Sequence, residues 1–318
     1  MANEQTRVAV VGTGMMGPRI AMTMALGGFP VTLIGRDTGK TELAANSLSK
    51  DMQSLVLHGL IDETERTAAL ALLSHTTDLD AGARDARLVI ESIVEHMPTK
   101  AELFRHLDEL CGPETILTSN TSALPVIGFA DAVQRKDRVA VTHYWNPPHL
   151  LPLVEIVRGA ETSDATVEFL RDLMLKTDKD PVVMQKDMPG FLANRLQHAL
   201  TREALFLVQE GVVSAEDMDR VVASSFGLRF PTWGPMLHSD AVGLDLVYAI
   251  ETGLLPHLER SSEPPRILKE LVEQGQTGRK AGKGLFDWSE RDFDALVKRR
   301  DDELLWRAKQ RRAERKTN

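Results

Sequence analysis

The stretch Arg7-Val8-Ala9-Val10-Val11-Gly12-Thr13-Gly14-Met15-Met16-Gly17 decides the fold of the first half of this chain. Its first five residues predict a short buried strand, and Ile20 to Leu26 continue as an apolar helix. Three glycines at this spacing serve a tight turn, the approach of a pyrophosphate to the backbone, and close packing of helix on strand. Amides at the helix start bind the phosphates. The stretch therefore predicts dinucleotide binding by Gly12, Gly14, Met15, Met16 and Gly17.

The end of the next strand bears on which dinucleotide is bound. Val31 to Ile34 predict this strand, and Gly35-Arg36-Asp37 follow it. An acid about 20 residues beyond the glycines holds the ribose 2′-hydroxyl of NAD, but that position is Gly35, which has no side chain. Arg36 is suited to bind a 2′-phosphate, because a guanidinium pairs with phosphate oxygens. The pattern favours NADP, or mixed use of NAD and NADP, while Asp37 keeps NAD open.

A histidine and a glutamate in the middle of the chain predict a general base. His143 follows the apolar strand predicted from Arg138 to Thr142, and Glu155 lies in the next strand, Leu153 to Val157. A carboxylate that accepts from one imidazole nitrogen fixes the tautomer and stabilises the imidazolium, so the other nitrogen acts as base. The alternative is a core histidine beside a buried acid.

Composition indicates an enzyme of the cytoplasm. The 318 residues carry a net charge of −8, so no global basic field attracts nucleic acid or anionic membrane. A single cysteine, Cys111, excludes an intrachain disulfide and a multi-cysteine zinc site, and the histidines lack metal-ligand spacing. The segment Met1 to Thr6 is polar, and no apolar run is long enough to span a bilayer. We expect no metal, nucleic-acid or membrane partner.

The remaining pattern divides the chain into two predicted domains. Further strands are predicted at Leu73–Thr77, Arg87–Ile90, Thr115–Thr118 and Pro181–Met184. Between the second strand and Leu73, apolar residues at helical spacing predict an inserted helical hairpin. Beyond residue 187 the chain is composed of amphipathic helices. We therefore expect a nucleotide-binding domain at 1–187 and a helical domain at 188–318.

Seven motifs, in order, resemble the 3-hydroxyacyl-CoA dehydrogenase family over about residue 7 to Trp288. They are Gly12–Gly17, Glu91–Glu95, Ser119–Ser122, His143–Pro147, Leu153–Val157, Pro189–Arg195 and Gly278–Gly284. The resemblance implies an α/β chain with a Rossmann-type doubly wound sheet, followed by an all-helical C-terminal domain that binds substrate and mediates homodimer formation. It also implies hydride transfer to NAD or NADP.

The resemblance also assigns roles to single residues. His143 is implied to be the catalytic base, Glu155 its partner, and Ser122 and Asn194 polar contacts to substrate. Glu95, Lys100, Asn146 and Lys280 match family positions that contact the cofactor. Without the resemblance, Ser122 is equally a turn residue at a strand end and Asn194 a helix-surface amide. The four cofactor positions are then solvated surface groups.

Two departures from the family bear on the substrate. Members that bind CoA place serine and lysine on the inserted hairpin, whereas residues 51–99 contain no lysine and Arg66 is the only arginine of the hairpin. Lys40 and Lys50 could still reach a CoA phosphate, so CoA is disfavoured but not excluded. Asn146-Pro147-Pro148-His149 resembles the lambda-crystallin and gulonate or carnitine dehydrogenase branch, whose substrates are small free hydroxy acids. We expect a free 3-hydroxy acid as substrate. A 3-hydroxyacyl-CoA substrate and a non-catalytic, crystallin-like NAD(P)-binding protein are the alternatives.

Overall fold

The computed structural model describes residues 6–317 and is built around one eight-stranded sheet. The strands are β1 (Val8–Val11), β2 (Val31–Ile34), β3 (Leu73–Thr76), β4 (Leu88–Glu91), β5 (Ile116–Ser119), β6 (Val139–Tyr144), β7 (Leu153–Arg158) and β8 (Asp180–Met184). Their order is β3-β2-β1-β4-β5-β6-β7-β8. Only the β6–β7 pair is antiparallel. The first six positions have the doubly wound Rossmann order, which confirms the predicted fold class.

Helices cover both faces of the sheet. They are α1 (Gly17–Leu26), α2 (Thr38–Leu57), α3 (Glu63–Ala71), α4 (Leu79–Ala83), α5 (Met97–Leu110), α6 (Ile127–Ala130) and α7 (Asp164–Lys176), with a 3-10 turn at Lys136–Arg138. Alternate strand residues point to opposite faces, so Val8 and Val10 join one apolar core while Ala9 and Val11 join the other. Residues of α1, α2, α3 and α7 complete the first core, and those of α5 and α6 contribute to the second.

The inserted hairpin consists of α2 and α3, as predicted. Asp37 caps α2, because its carboxylate accepts the Lys40 N–H at 2.8 Å. Asp62 and Glu65 form a reciprocal capping box at the start of α3. Both helices pack against the first core through residues such as Leu48 and Met52.

A second compact unit, Ala193–Lys298, is helical. It contains α8 (Ala193–Gln209), α9 (Ala215–Ser224), α10 (Phe226–Arg229), α11 (Pro235–Val242), α12 (Leu244–Leu254) and α13 (Arg266–Glu273), with 3-10 turns at Leu255–His257 and Arg279–Ala281. The last helix, α14 (Phe293–Thr317), begins in this unit. An all-helical C-terminal domain is thereby confirmed.

The tail differs from the sequence expectation, which assigned all of 188–318 to the helical domain. From Arg299 onward the chain groups with the sheet-containing unit, which otherwise ends at Leu192. Leu305 of α14 is only 7% exposed and joins the first core. Arg312 binds the Leu60 carbonyl and the Glu65 carboxylate of the hairpin. These contacts join residues distant in sequence, which local patterns do not reveal.

Two further expectations can be compared with the described residues. The strand predicted from Arg138 to Thr142 runs from Val139 to Tyr144, so His143 lies inside it rather than after it. Among residues 6–317, no helix is both long enough and apolar enough to cross a bilayer. Met1 to Gln5, most of the polar segment from which a cytoplasmic location was expected, lie outside the described residues, and that location stays a prediction.

Candidate active site

A cleft of about 1070 Å³ lies at the carboxyl edge of the sheet. Its walls come from the segments that follow β1, β2, β4 and β5, and from the end of β6. The strand order reverses between β1 and β4, and ligands of open α/β sheets bind outside the carboxyl ends of the strands at such a point.

The glycine turn is packed tightly against the protein at Gly12 and Gly17 and is open at Gly14. Gly12 has φ +126°, and a Cβ there would lie 2.2 Å from the Ser92 carbonyl oxygen. A Cβ at Gly17 would lie 1.9 Å from the Gly12 carbonyl oxygen, whereas one at Gly14 would meet no atom within 4 Å. Met15 and Met16 line the cleft beside them. The α1 N-terminus has no side-chain cap, so the turn fits a pyrophosphate.

His143 and Glu155 are direct cross-strand neighbours. They face each other in the antiparallel β6–β7 register, and His143 Nδ1 lies 2.7 Å from Glu155 Oε2. Glu155 is fully buried, and His143 is 6% exposed while forming part of the cleft wall. Because Nδ1 is held by the carboxylate, Nε2 is the nitrogen available for proton transfer.

A strained turn completes the surroundings of this pair. Phe191 has φ +50°, an uncommon conformation for a bulky residue, and follows Gly190 at φ +78°. The turn directs the Leu192 N–H to Glu155 Oε1 at 2.8 Å. It also brings the Phe191 ring centroid to 5.5 Å from that of His143. Strain of this kind is concentrated at functional sites.

A buried lysine positions Glu95. Lys100 was predicted as a cofactor contact, but it is 1% exposed, and Nζ donates to both Glu91 oxygens at 2.6 and 2.8 Å. It also lies 3.2 Å from Glu95 Oε2. Glu95 does line the cleft, and its Oε1 accepts from the Thr121 hydroxyl and from the Ser122 N–H. The structure therefore places Lys100 behind the cleft wall, where it holds Glu95, because the buried Glu91 requires a cation.

Polar side chains continue the cleft wall next to His143. Ser122 and Asn146 both line it, as predicted, and Asn146 Nδ2 lies 3.3 Å from Met15 Sδ. Asn120 was not singled out from the sequence. Its Oδ1 accepts the Tyr144 N–H at 2.9 Å, and its Nδ2 donates to Ser92 Oγ at 3.4 Å, so it ties the ends of β4, β5 and β6 together.

The segment after β2 forms the far end of the cleft. Arg36 is exposed and lines the cleft together with Gly35. A Cβ at Gly35 would lie 2.0 Å from the buried Thr41 hydroxyl, so an acidic side chain does not fit without displacement of Thr41. Because Asp37 caps α2, its carboxylate is already engaged.

The loop between His143 and Glu155 is fastened from behind by a second buried lysine. Lys179 is 3% exposed, and Nζ donates to the carbonyl oxygens of Pro148 and of Leu151, the latter at 3.2 Å. Burial, followed by the nearby Arg311, lowers the pKa of Lys179 to about 7. Burial also raises the pKa of the Cys111 thiol to about 11, which disfavours a nucleophilic role for it.

Two predicted contacts lie in the second unit. Asn194 is the second residue of α8, and Lys280 lies in the 3-10 turn Arg279–Ala281. Their roles stay predictions.

Comparison with known families assigns both halves of the chain. Residues 7–188 match the NAD binding domain of 3-hydroxyacyl-CoA dehydrogenase, and residues 190–288 match its C-terminal domain. The chain belongs to the 3-hydroxyacyl-CoA dehydrogenase family. It is therefore an NAD-dependent oxidoreductase of the alcohol dehydrogenase type, which confirms the family and enzyme class inferred from the seven motifs.

Individual relatives act on two kinds of compound. The chain is 32% identical to a 5-formyl-3-hydroxy-2-methylpyridine 4-carboxylate 5-dehydrogenase of Mesorhizobium japonicum, over 94% of this chain and 96% of the relative. A crystal structure of an enzyme with this activity, described as an NAD+-dependent dismutase, matches with a TM-score of 0.88 at 31% identity, over 96% and 98% of the two chains. The chain is also 36% identical to a 3-hydroxybutyryl-CoA dehydrogenase of Mycobacterium tuberculosis, over 91% of this chain and 100% of the relative. An (S)-3-hydroxybutyryl-CoA dehydrogenase structure from Ralstonia eutropha matches with a TM-score of 0.75 at 28% identity, over 90% and 100%.

Sequence reasoning overlooked Glu91, Asn120 and Trp145. All three stand within motifs of the family resemblance, and Glu91 and Asn120 lie at or just after the ends of apolar strands. A polar residue at the carboxyl end of a parallel strand was the available signal. Trp145 follows β6 directly, and only its contacts identify its role.

Proposed function

We propose that this protein oxidises a small free 3-hydroxy acid to the 3-keto acid, with His143 as general base. The proposal rests chiefly on the 2.7 Å contact of His143 Nδ1 with the buried Glu155, which leaves Nε2 available at a cleft that fits a dinucleotide. The experiment is cofactor reduction, followed in parent and His143→Gln protein. The kcat of His143→Gln is expected to be lower than that of the parent by roughly 100-fold or more.

The proton follows a defined path in this proposal. His143 Nε2 removes the proton of the substrate hydroxyl, and Glu155 stabilises the imidazolium that forms. A nicotinamide dinucleotide held at the glycine turn would supply the acceptor for the hydride that leaves the substrate carbon. In the reverse direction the imidazolium returns the proton to the developing alkoxide. A hydrogen bond from Ser122, which lines the cleft, would hold that oxygen in line. The family resemblance implies the same role for Asn194.

The choice of a free acid is supported by the charges on the hairpin. Arg66 is occupied by Glu63 at 2.5 Å and by Ser49 at 3.1 Å, so it is poorly placed to hold a CoA phosphate. Acids of the hairpin do not repel an anion strongly, because Asp51 pairs with Arg19, and Glu65 with Arg312. Few cations of the hairpin face solvent without an ion pair, and those of α2 that could still reach a CoA phosphate are Lys40 and Lys50. The higher TM-score with a dehydrogenase of a pyridine carboxylate points the same way.

A CoA ester is the second candidate, favoured by the 36% identity to a 3-hydroxybutyryl-CoA dehydrogenase. Kinetics on a matched pair separate the two, namely 3-hydroxybutyrate against (S)-3-hydroxybutyryl-CoA. The proposal expects the free acid to have at least an equal kcat/KM. A CoA ester that is better by orders of magnitude would establish the second candidate instead.

We further propose that NADP is accepted as well as NAD. Gly35 has no acidic side chain that would repel a 2′-phosphate, and the Thr41 hydroxyl leaves no space for such a side chain at this position. Arg36, beside it, lines the cleft. Binding titrations of the protein with each cofactor test this. A Kd for NADP more than about 100-fold weaker than for NAD would contradict it.

We also propose a homodimer formed through the helical unit. Large apolar side chains of this unit are exposed, among them Trp233, Met236 and Tyr248. Sedimentation of the full chain is expected to give twice the monomer mass, and a monomer at micromolar concentration would refute the proposal.

A further inference from the structure

Trp145 contacts the same carboxylate oxygen as the proposed base. Its Nε1 lies 3.2 Å from Glu155 Oε2, which also accepts from His143 Nδ1 at 2.7 Å. Trp145 is half-buried and lines the cleft, and its ring centroid is 5.6 Å from that of His143. One oxygen atom thus links a residue that does not titrate to one that transfers a proton.

We propose that Trp145 is a positioning residue that sets the working pH range of His143 through this shared oxygen. The inference rests on the proposed function, since it requires that His143 is the base. It adds a residue to which neither the family motifs nor the sequence pattern gives a role.

The rings of Trp145 and Phe191 limit the movement of the imidazole. Both rings are tilted against it, at interplanar angles of 58° and 56°. Together with the Nδ1 contact, they fix the plane in which Nε2 faces the substrate. A displacement of about 1 Å at a reacting atom is enough to lower turnover strongly.

The indole N–H acts electrostatically. A hydrogen bond to a charged acceptor is stronger than one between neutral groups. A second donor on Oε2 draws electron density from that oxygen and weakens its hold on the imidazolium. Without this N–H, Glu155 would hold the imidazolium more firmly.

Two carboxylates of the sheet-containing unit lie near the imidazole of His143. Glu155 on β7 is the carboxylate in direct contact with His143. Glu95, between β4 and α5, lines the same cleft and is paired with Lys100. Replacement of Trp145 by an aromatic residue changes none of these charges, so a shift of the pH profile reports the lost N–H.

The experiment compares Trp145→Phe with the parent in both reaction directions. Phenylalanine keeps an aromatic wall and removes the donor. The acid limb of kcat/KM for oxidation, and the alkaline limb for reduction, are both expected to move upward by roughly half a pH unit. Trp145→Tyr, whose hydroxyl is itself a donor, is the second variant, and it is expected to shift the limbs less than Trp145→Phe. Phe191→Leu is the matched control, because it removes the opposite ring without touching the shared oxygen. It should lower kcat and leave the limbs in place.

The outcomes separate this inference from the proposed function. If the limbs of folded Trp145→Phe coincide with those of the parent, the proposed role of Trp145 is overturned. A limb that persists in His143→Gln overturns the assignment of the base itself. If the limb disappears in His143→Gln and moves upward in Trp145→Phe, both proposals stand.

Discussion

Replacement of Glu155 by glutamine removes a charge and introduces a mismatch of donors. Glu155 Oε1 accepts from the Leu192 N–H at 2.8 Å, and Oε2 accepts from His143 and Trp145. A glutamine amide has one oxygen and one NH2 group, so in either orientation the NH2 meets another donor. With the oxygen toward His143, the amide repels Leu192. With the NH2 toward His143, the imidazole loses the acceptor that fixes its tautomer.

The expected magnitude follows from the lost charge-assisted hydrogen bond. Such a bond contributes about 1.5–3 kcal/mol, and each 1.36 kcal/mol is a factor of about ten in rate. We therefore expect kcat of Glu155→Gln to fall by roughly 10- to 150-fold. Stability should fall as well, because a buried donor left unsatisfied costs about 1–3 kcal/mol.

The assay is steady-state kcat at saturating cofactor and substrate, together with thermal unfolding of the same preparation. Glu168→Gln on the exposed side of α7 is the matched control, and it should match the parent in both measurements. A Glu155→Gln protein with parent kcat and parent Tm would refute the reasoning about the His143–Glu155 pair.

Three further changes test other parts of the structure. Arg36→Ala is expected to weaken NADP by roughly tenfold or more while NAD changes little, because only NADP carries the phosphate for a charge-assisted contact. Isothermal titration with both cofactors measures this, and equal losses would show that Arg36 points elsewhere. Leu305→Ala should lower the free energy of unfolding by about 2–5 kcal/mol, since it empties a site in the core. The neighbouring Trp306→Ala, at an exposed position, is the control, and equal losses in denaturant unfolding would contradict the packing of α14. The pKa of Lys179 is lowered to about 7 in the folded chain from 10.5. Between these pH values the unfolded chain therefore binds more protons than the folded chain. The contribution of Lys179 to the free energy of unfolding increases as pH rises through that range. Lys179→Met should flatten the plot of the free energy of unfolding against pH in this range. An unchanged slope would show that the Lys179 amine does not lose its proton on folding.

The parts of the fold that could be predicted from sequence depend on short-range order. β1, the glycine turn and α1 are consecutive, so their roles follow from residue type and spacing. His143 and Glu155 are twelve residues apart on adjacent antiparallel strands, and their pairing required only that the two strands form a hairpin. The spacing of apolar residues was sufficient to predict the helices of the inserted hairpin.

The parts that could not be predicted depend on long-range contacts. Lys100 resembles a cofactor ligand in sequence, but the buried Glu91 on a neighbouring strand draws its amine behind the cleft. The tail resembles a solvated charged helix, yet Arg312 and Leu305 fasten it to the sheet-containing unit. Trp145 resembles a loop aromatic, and only the position of Glu155 reveals the use of its N–H.

The central claim, that His143 is the general base, is tested most directly by kcat of His143→Gln alongside the Kd of NAD. We predict a fall of kcat by roughly 100-fold or more with the Kd of NAD unchanged, since the glycine turn and its amides are untouched. Turnover close to that of the parent, in a variant that still binds NAD, would contradict the claim.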